Sequence, residues 1–509
     1  MLPLRAEGAR LRLDTTRDLR NLRESAWLLL LVGIVSVAMG AAGWAFLFGL
    51  KLVTGLREQQ PALFFLLIPV SVMTSWLYHR HGLAASRGNN LVIESALTGR
   101  LIHARMAFLT FFCSIATHLA GGSAGREGTA VQIGGTIASN VSGLLHLEGY
   151  DHHDLMLAGI SSAFGAVFGT PLAGAFFGME MCFVGKLEYR AALYCLVGSF
   201  TGNAVARFLG VTHGIHAVGS FPALDGRTFA LAVAGGIAFG IIARAFSASI
   251  RFVKRTYDRI PGSYLVRALV GSAVLLAVFL LTGTQRLGGL SEWMVDAGFS
   301  GEASPIDAAA KLVLTALTVG SGFQGGEVTP LFDIGASFGG WMGSVAGFAP
   351  GLPAALGMLG VFGAALNVPI TTIMLGIDMF GGAGAPYFVI VSFVSYLVAG
   401  HRGVYPAQRI ITPKRRSLAP DVEHTVEEVI TARAKPARVA DDVRPVRPDG
   451  AAEDAAAGSA AVDEASSVTE DAAAGSAAVD AGADTAARET AVDTAPRRAG
   501  AAASTGDPA

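Results

Sequence analysis

The sequence predicts an all-α membrane protein made of many tilted and broken helices. Of its 509 residues, 52% are hydrophobic and only 15% are charged, a balance that excludes an ordinary soluble domain of this length. Apolar stretches that approach the roughly 20 residues of a membrane-spanning helix recur along the chain. They lie at about residues 26–53, 61–77, 101–120, 155–183, 191–209, 229–246, 265–281, 311–318, 352–380 and 387–399. The chain is therefore mostly solvated by lipid.

Two parts of this apolar region resemble each other. The sequence GREGT at residues 125–129 is similar to GEVTP at 326–330, and an Ile-Gly pair follows each of them. Glu180 and Asp378 each end an apolar stretch that a Pro-Leu or Pro-Ile pair opens. Short, Gly- and Pro-interrupted segments in corresponding places predict broken helices, two inverted halves and a site near the membrane midplane. A chance recurrence of Gly and Pro in a Gly-rich chain is the alternative.

Charge and composition divide the chain into four parts: an N-terminal segment 1–24, a transport domain 25–410, a connector 411–447 and a tail 448–509. Arginines are frequent before the first apolar stretch, and Lys-Arg-Arg at 414–416 follows the last one. The positive-inside rule therefore predicts a multi-pass protein of the plasma (inner) membrane with both termini in the cytoplasm. The tail repeats EDAAAGSAAVD, has no aromatic residue and is predicted to be disordered.

The sequence does not predict a cofactor, a metal site or a nucleic-acid partner. Cys113, Cys182 and Cys195 lie in apolar stretches without metal-ligand spacing, so we interpret them as packing residues. Asp-His-His-Asp at residues 151–154 has no accompanying ligand cluster and is interpreted as a solvated polar loop. No basic stretch interleaved with aromatic residues, which nucleic-acid binding would require, is present in the sequence.

Glu127 is the strongest candidate for a functional residue. A carboxylate at the centre of a membrane helix costs roughly 2.5 to 3.5 kcal/mol, so one that lies there is a functional candidate. Glycines precede it and an apolar continuation follows it, which predicts a turn that opens a helix and leaves free N–H groups as an anion site. Glu127 can occupy that site, or take up a proton and yield the site to an anion. A structural ion pair with Arg126 is the alternative.

Residues 125–135 carry a resemblance to a known family. They read GREGTAVQIGG and are similar to GREGPxVQIGG of the CLC family of anion channels and antiporters, in which the Glu is the gate. Residues 171–174 resemble the family's PLAG, and 326–330 stand where it has GxFxP. The resemblance covers roughly residues 25–409. It implies the CLC fold and a homodimer with a separate pathway in each subunit.

Three departures from the family pattern point to its fluoride-selective branch. Thr129 replaces a Pro, residues 86–91 read SRGNNL where chloride-selective members have GSGIP, and GGEVTP adds Glu327. The resemblance to this branch implies a fluoride/proton antiporter that gives fluoride resistance, with Glu327 coupling protons and Thr329 contacting the anion. A chloride/proton antiporter or a passive chloride channel of the same family is the alternative. Arg87 either faces the pathway or turns toward an aqueous vestibule.

Fluoride is small, strongly hydrated and a strong hydrogen-bond acceptor, so a desolvated site for it needs compact donors. The resemblance places the C-terminal pathway tyrosine at Tyr405, for which an interfacial belt position is the alternative. It places an inner proton-relay glutamate near Glu180, for which a structural role is equally open. With Glu127 as gate and Glu327 as coupling acid, the predicted anion-binding residues are Asn89, Asn90, Gly125, Arg126, Gly128, Thr129, Val328, Thr329 and Tyr405.

A membrane-integral enzyme or receptor is the alternative from a different functional class. The apolar region contains no recognisable nucleophile–base or metal constellation in its sequence, and its ionisable residues stand at predicted helix ends. We therefore expect a transporter of fluoride and protons that needs no cofactor.

Overall fold

The computed structural model describes residues 2–434 apart from 82–86, 215 and 217, with side chains described from residue 22 onward. The predicted disordered tail and residues 435–447 of the predicted connector lie outside the described residues. The helices are α1 (Leu2–Gln59), α2 (Leu67–His81), α3 (Asn89–Thr98), α4 (Arg105–Leu119), α5 (Glu127–Leu144), α6 (Gly149–Phe168), α7 (Pro171–Glu180), α8 (Ala192–Phe208), α9 (Gly226–Asp258), α10 (Tyr264–Thr282), α11 (Trp293–Ser300), α12 (Pro305–Gly320), α13 (Val328–Val345), α14 (Gly351–Leu366), α15 (Pro369–Phe380), α16 (Ala385–Ala399) and α17 (Val426–Ala434). The strands β1 (Phe183–Val184) and β2 (Arg409–Ile410) pair in parallel.

The helices differ widely in length, as the interrupted apolar pattern predicts. Within the described residues, five stretches are long and apolar enough to cross a membrane: Leu22–Gln59, Pro61–His81, Gly226–Asp258, Tyr264–Thr282 and Gly382–Ala399. Three shorter apolar helices accompany them, at Arg105–Leu119, Gly351–Leu366 and Pro369–Phe380. The prediction of an all-α membrane fold with broken helices is confirmed.

The two halves are built alike around α5 and α13. Both helices have 18 residues, and an antiparallel bridge joins Gly125, just before α5, to Gly326, just before α13. The Ile-Gly pairs noted in the sequence now have a physical reason. In the first half Gly134 of α5 packs against the backbone of α6, and in the second half Gly335 of α13 packs against the backbone of α14. A side chain at either glycine would keep the two helices from close approach.

Helices α7 and α15 cap each other reciprocally across the two halves. Glu180, the last residue of α7, accepts hydrogen bonds from Ile370 N and Thr371 N at the start of α15, at 3.1 and 2.8 Å. Asp378, near the end of α15, accepts one from Ala173 N at the start of α7, at 3.0 Å. Each acid therefore satisfies N–H groups that the other helix leaves without intrahelical partners.

The described part of the predicted connector packs onto the membrane domain. One small apolar cluster joins β1, β2, α16 and α17, and its members are Val184, Tyr396, Ile410, Val426, Val429 and Ile430. Lys414 is buried there and donates to Asn367 Oδ1 at 2.6 Å and to Tyr396 O at 3.0 Å. The chain after α16 thus returns to the domain, which brings Tyr405 into the interior.

The interpretation of residues 151–154 as a solvated loop is wrong, because they lie in the first turns of α6. His152 is buried between Ser142 Oγ at 2.7 Å and Ser95 O at 3.1 Å, and His153 contacts Ala96 O at 2.8 Å. Polar side chains here hold α3 against α6, and backbone carbonyls in the last turn of α3 provide the partners. Among the residues that the structure describes, none form a cluster of three or more metal-ligating side chains.

Candidate anion site

The site lies where α5 and α13 begin side by side. Gly125 N donates to Gly326 O at 2.6 Å, and Gly326 N donates to Gly125 O at 2.7 Å. A Cβ on Gly125 would stand 2.9 Å from Thr329 N, so glycine is needed for this approach. Two helix N-termini, each the positive end of a helix dipole, therefore converge on one buried place.

The Glu127 carboxylate occupies the N-terminus of the opposite helix. Its Oε2 accepts from Thr329 N at 3.1 Å and from Thr329 Oγ1 at 2.6 Å, while its Oε1 lies 3.3 Å from Arg126 Nε. The side chain is only 2% exposed. The helix-end position and the ion pair with Arg126, posed above as alternatives, are thus both present. A backbone N–H and a hydroxyl at a helix N-terminus are donors of the kind that bind small anions.

A second group of polar atoms surrounds the α-carbon of Gly128. A Cβ there would lie 2.9 Å from Asn89 Nδ2 and 3.3 Å from Glu327 Oε2, so no side chain fits. Asn89 Nδ2 donates to Tyr405 Oη at 3.1 Å, and Tyr405 is buried. Asn89 Oδ1 and Glu327 Oε2 are buried without a hydrogen-bond partner among the described residues. Tyr405 is therefore an interior residue, which rules out the interfacial belt position.

The remaining predicted residues lie around these two groups. Thr129 is buried, with its hydroxyl 3.0 Å from Ser114 Oγ of α4, and Val328 is buried as the first residue of α13. Asn90 is engaged with backbone on both sides, since its Oδ1 accepts from Ala407 N at 3.1 Å and its Nδ2 donates to Arg87 O at 3.3 Å. Anion contact by Asn90 stays a prediction, and its observed contacts hold the start of α3 against the segment that carries Tyr405.

Arg87 and Glu180 lie outside this centre. The Arg87 side chain is 48% exposed and forms an ion pair with Glu94, so it turns toward solvent rather than into the group around Gly128. The carboxylate of Glu180 caps α15, and Thr371 Oγ1 adds a third donor at 2.8 Å. The prediction that Glu180 relays protons is left open by these contacts.

Two charged contacts near the site had no part in the sequence predictions. Lys311 of α12 and Asp333 of α13 form an ion pair at 3.4 Å, and both side chains are fully buried. Glu292 lies 2.7 Å from Arg126 Nη1. A lysine at the start of a short apolar stretch is a signal that sequence reasoning could have used. Glu292 gives no such signal, because only the fold brings it to Arg126.

Comparison with known proteins gives this arrangement a family. The sequence model described as "Voltage gated chloride channel" matches residues 70–400. The chain belongs to the CLC family. The CLC relatives include the "Chloride/fluoride channel protein" of Pseudomonas syringae pv. tomato, which is 34% identical over 77% of this chain and 88% of its own length. The "H(+)/Cl(-) exchange transporter ClcA" of Vibrio cholerae is 27% identical over 60% of this chain and 69% of its own length.

Solved structures agree on the CLC fold. The crystal structure of a CLC-type fluoride/proton antiporter matches with a TM-score of 0.74 and 33% identity, over 76% of this chain and 98% of that one. A slow cyanobacterial Cl-/H+ antiporter matches with a TM-score of 0.65 over 80% of this chain and 97% of its own. At 19% identity this second likeness bears on the fold alone.

Proposed function

We propose that this protein is a transporter that exports fluoride in exchange for protons. The observation that carries the proposal is the Glu127 carboxylate, which accepts hydrogen bonds from the backbone N–H and the hydroxyl of Thr329 in the first turn of α13. A helix N-terminus favours a negative group, and here one oxygen of a side chain takes two donors that suit a small anion. A protonated Glu127 loses the charge that holds it there and leaves these donors to fluoride.

Two further groups complete the proposed pathway. Asn89 and Tyr405 each keep one hydrogen-bond donor beyond the bond they share. Glu327 in protonated form can donate from Oε2, which has no partner among the described residues. We assign proton coupling to Glu127 and Glu327, whose titrations are coupled if they share one path.

Two of the relatives support fluoride as the substrate. The Pseudomonas syringae protein is described as a chloride/fluoride channel protein, and the 33% identical structure as a fluoride/proton antiporter. The proteins described as H(+)/Cl(-) exchange transporters are less similar in sequence. We further propose a homodimer in the plasma (inner) membrane, with both termini in the cytoplasm and residues 25–410 forming the transport domain.

Anion selectivity tests the substrate. The purified protein is reconstituted into liposomes loaded with fluoride or chloride, and efflux of each ion is followed with an ion-selective electrode. We expect fluoride efflux to exceed chloride efflux clearly. Equal rates would favour the chloride antiporter or channel of the same family.

Proton coupling tests the gate. A fluoride gradient is expected to drive proton movement in the wild-type liposomes and in the control variant Glu148→Gln, which changes an exposed acid. In Glu127→Gln the amide cannot exchange a proton, so fluoride-driven proton movement is expected to be lost. Proton movement that persists in Glu127→Gln would show that the gate is assigned to the wrong residue.

A further inference from the structure

Arg126 connects the site to a second, water-facing acid. Its Nε lies 3.3 Å from Glu127 Oε1, and its Nη1 lies 2.7 Å from Glu292 Oε1. The Glu127 side chain is 2% exposed, whereas that of Glu292 is 58% exposed. One guanidinium is thus divided between a buried carboxylate at the site and an exposed carboxylate outside it.

A cavity of about 580 Å³ reaches this guanidinium. Arg126 and Glu292 line it together with residues from the C-terminal end of α1 and the chain after α8. It therefore opens on the membrane side opposite to the N-terminus of α1. Glu127 is not among the lining residues and lies behind Arg126. The Arg126–Glu292 pair therefore stands between this cavity and Glu127.

The loop that leads to Glu292 is fixed by buried hydrogen bonds. Lys311 Nζ donates to Gly289 O at 3.0 Å and to Leu287 O at 3.3 Å, in the loop that leads to Glu292. Gly289 N in turn donates to Gly122 O at 3.1 Å, in the turn that precedes α5. The carboxylate of Glu292 is therefore presented to Arg126 by a loop that is fixed to both halves of the site.

We propose that Glu292 is a positioning residue for proton uptake by Glu127 from this cavity. Its charge draws the Arg126 guanidinium outward and weakens the hold of Arg126 on charged Glu127. The same negative charge also acts on Glu127 directly and favours its protonated form. Both effects have the same sign, so Glu292 assists the step in which Glu127 takes up a proton and yields its place to the anion. This inference rests on the proposed exchange of fluoride for protons.

Other charged groups near Glu292 also contribute to the pH dependence that the test measures. Those that line the cavity with Glu292 come from α1, the turn before α5 and the chain after α8, and they are Lys51, Glu58, Arg126 and His213. The ion pair of Lys311 and Asp333 lies in the interior, and Lys311 Nζ contacts the loop that carries Glu292. Glu58 is the useful control among the residues that line the cavity, because it is an acid of the same length in the same cavity and Arg126 pairs with Glu127 and Glu292 instead.

The test compares the pH dependence of transport in Glu292→Gln, Glu58→Gln and wild-type liposomes at equal pH on both sides. We expect the pH of half-maximal transport in Glu292→Gln to move to lower values by about half a unit, the size expected for losing one partly exposed ion pair. Glu58→Gln is expected to keep the wild-type profile, and Glu292→Asp to restore most of it. An exposed side chain is replaced, so the fold is retained.

The outcomes separate this inference from the proposed function. An unchanged profile in Glu292→Gln, or an equal shift in Glu58→Gln, would overturn the role of Glu292 while leaving fluoride/proton exchange intact. Fluoride and chloride are both measured, and the profile is taken with the ion that the wild-type protein moves. Chloride movement without fluoride movement would therefore refute the proposed substrate and still give a result for Glu292.

Discussion

The starts of α5 and α13 use the same backbone geometry for different chemistry. At the start of α5 the Glu127 carboxylate has three donors, two of them from Thr329 of the other half. At the start of α13 Oε2 of Glu327 has none among the described residues. The Gly125–Gly326 bridge makes Glu327 the counterpart of Arg126 rather than of Glu127. The repeat thus supplies a symmetric frame, and individual substitutions on it make the two acids unequal.

The two halves also differ in chemistry at equivalent positions further along these helices. In the first half, Thr110 Oγ1 of α4 donates to Gln132 Oε1 of α5 at 3.2 Å. In the register of the bridge, their counterparts in α12 and α13 are Lys311 and Asp333, the fully buried ion pair. A neutral hydrogen bond and a pair of opposite charges therefore stand at matching places. Desolvation makes the charged version much more sensitive to the loss of one partner.

The largest predicted effect comes from breaking that charged pair. Asp333→Gln alone leaves Lys311 buried without its counter-charge, which we expect to lower the free energy of unfolding by about 3 to 5 kcal/mol. Lys311→Thr together with Asp333→Gln rebuilds the pair found in the first half. The double variant is expected to lose less stability than Asp333→Gln, measured by unfolding in detergent micelles.

The exposed pair Arg286–Asp307 provides the matched control. It is formed at 2.6 Å with Arg286 61% exposed, so Asp307→Asn is expected to cost at most about 1 kcal/mol. If the double variant is as unstable as the sum of its single variants, Lys311 and Asp333 do not act as a pair, and the proposed equivalence of the two halves fails at this position.

The sequence allowed the fold to be predicted further than the site. The GREGT and GEVTP motifs and the Ile-Gly pairs are local signals, and each corresponds to an observed helix start or helix contact. The contacts that distinguish Glu127 from Glu327 join residues far apart in the chain, so no local pattern contains them. Glu180 and Asp378 illustrate both cases. Their equivalent positions can be predicted from the sequence, whereas their reciprocal capping can be seen only in the structure.

The caps that Glu180 and Asp378 provide give the second prediction, whose expected effect is of intermediate size. Glu180 accepts three hydrogen bonds at the start of α15, whereas Asp378 accepts one at the start of α7. Hydrogen bonds to charged groups contribute about 1.5 to 3 kcal/mol each when buried. We therefore expect Glu180→Gln to lower the melting temperature more than Asp378→Asn does.

Fluoride-driven proton movement in Glu180→Gln then decides what else this acid does. Retained coupling at reduced stability would assign Glu180 to capping alone. A loss of proton movement at unchanged fluoride efflux would support the relay predicted from the sequence. An equal loss of stability in both variants would show that the number of donors does not set the strength of the cap.

The smallest effect is expected outside the site, at three helices that are capped by the residue before them. Helices α9, α10 and α12 begin with side-chain caps from Asp225, Ser263 and Ser304. The residues before α5 and α13 provide no such cap. Other helices, α3 and α6 among them, also begin without a side-chain cap. What distinguishes α13 is that Glu127, from the other half, accepts a hydrogen bond from Thr329 N in its first turn. The distinction is therefore between a cap from the preceding residue and a cap from a side chain that is distant in the sequence.

Asp225 tests this distinction. Hydrogen bonds from the backbone N–H and the hydroxyl of Thr228 lower the pKa of its carboxyl below the ordinary 3.8. A lowered pKa means that the stabilisation is present above the unfolded-state pKa and is lost as the pH falls through the folded-state pKa. Asp225→Ala should therefore lower the melting temperature slightly at neutral pH, and the gap to wild type should close in acid. Asp258→Asn, at the other end of α9, is the control that should not destabilise, because a negative charge opposes the dipole there. If the difference in melting temperature between Asp225→Ala and wild type stays constant with pH, the cap does not depend on the charge of Asp225. The comparison with the cap that Glu127 provides would then have no electrostatic basis.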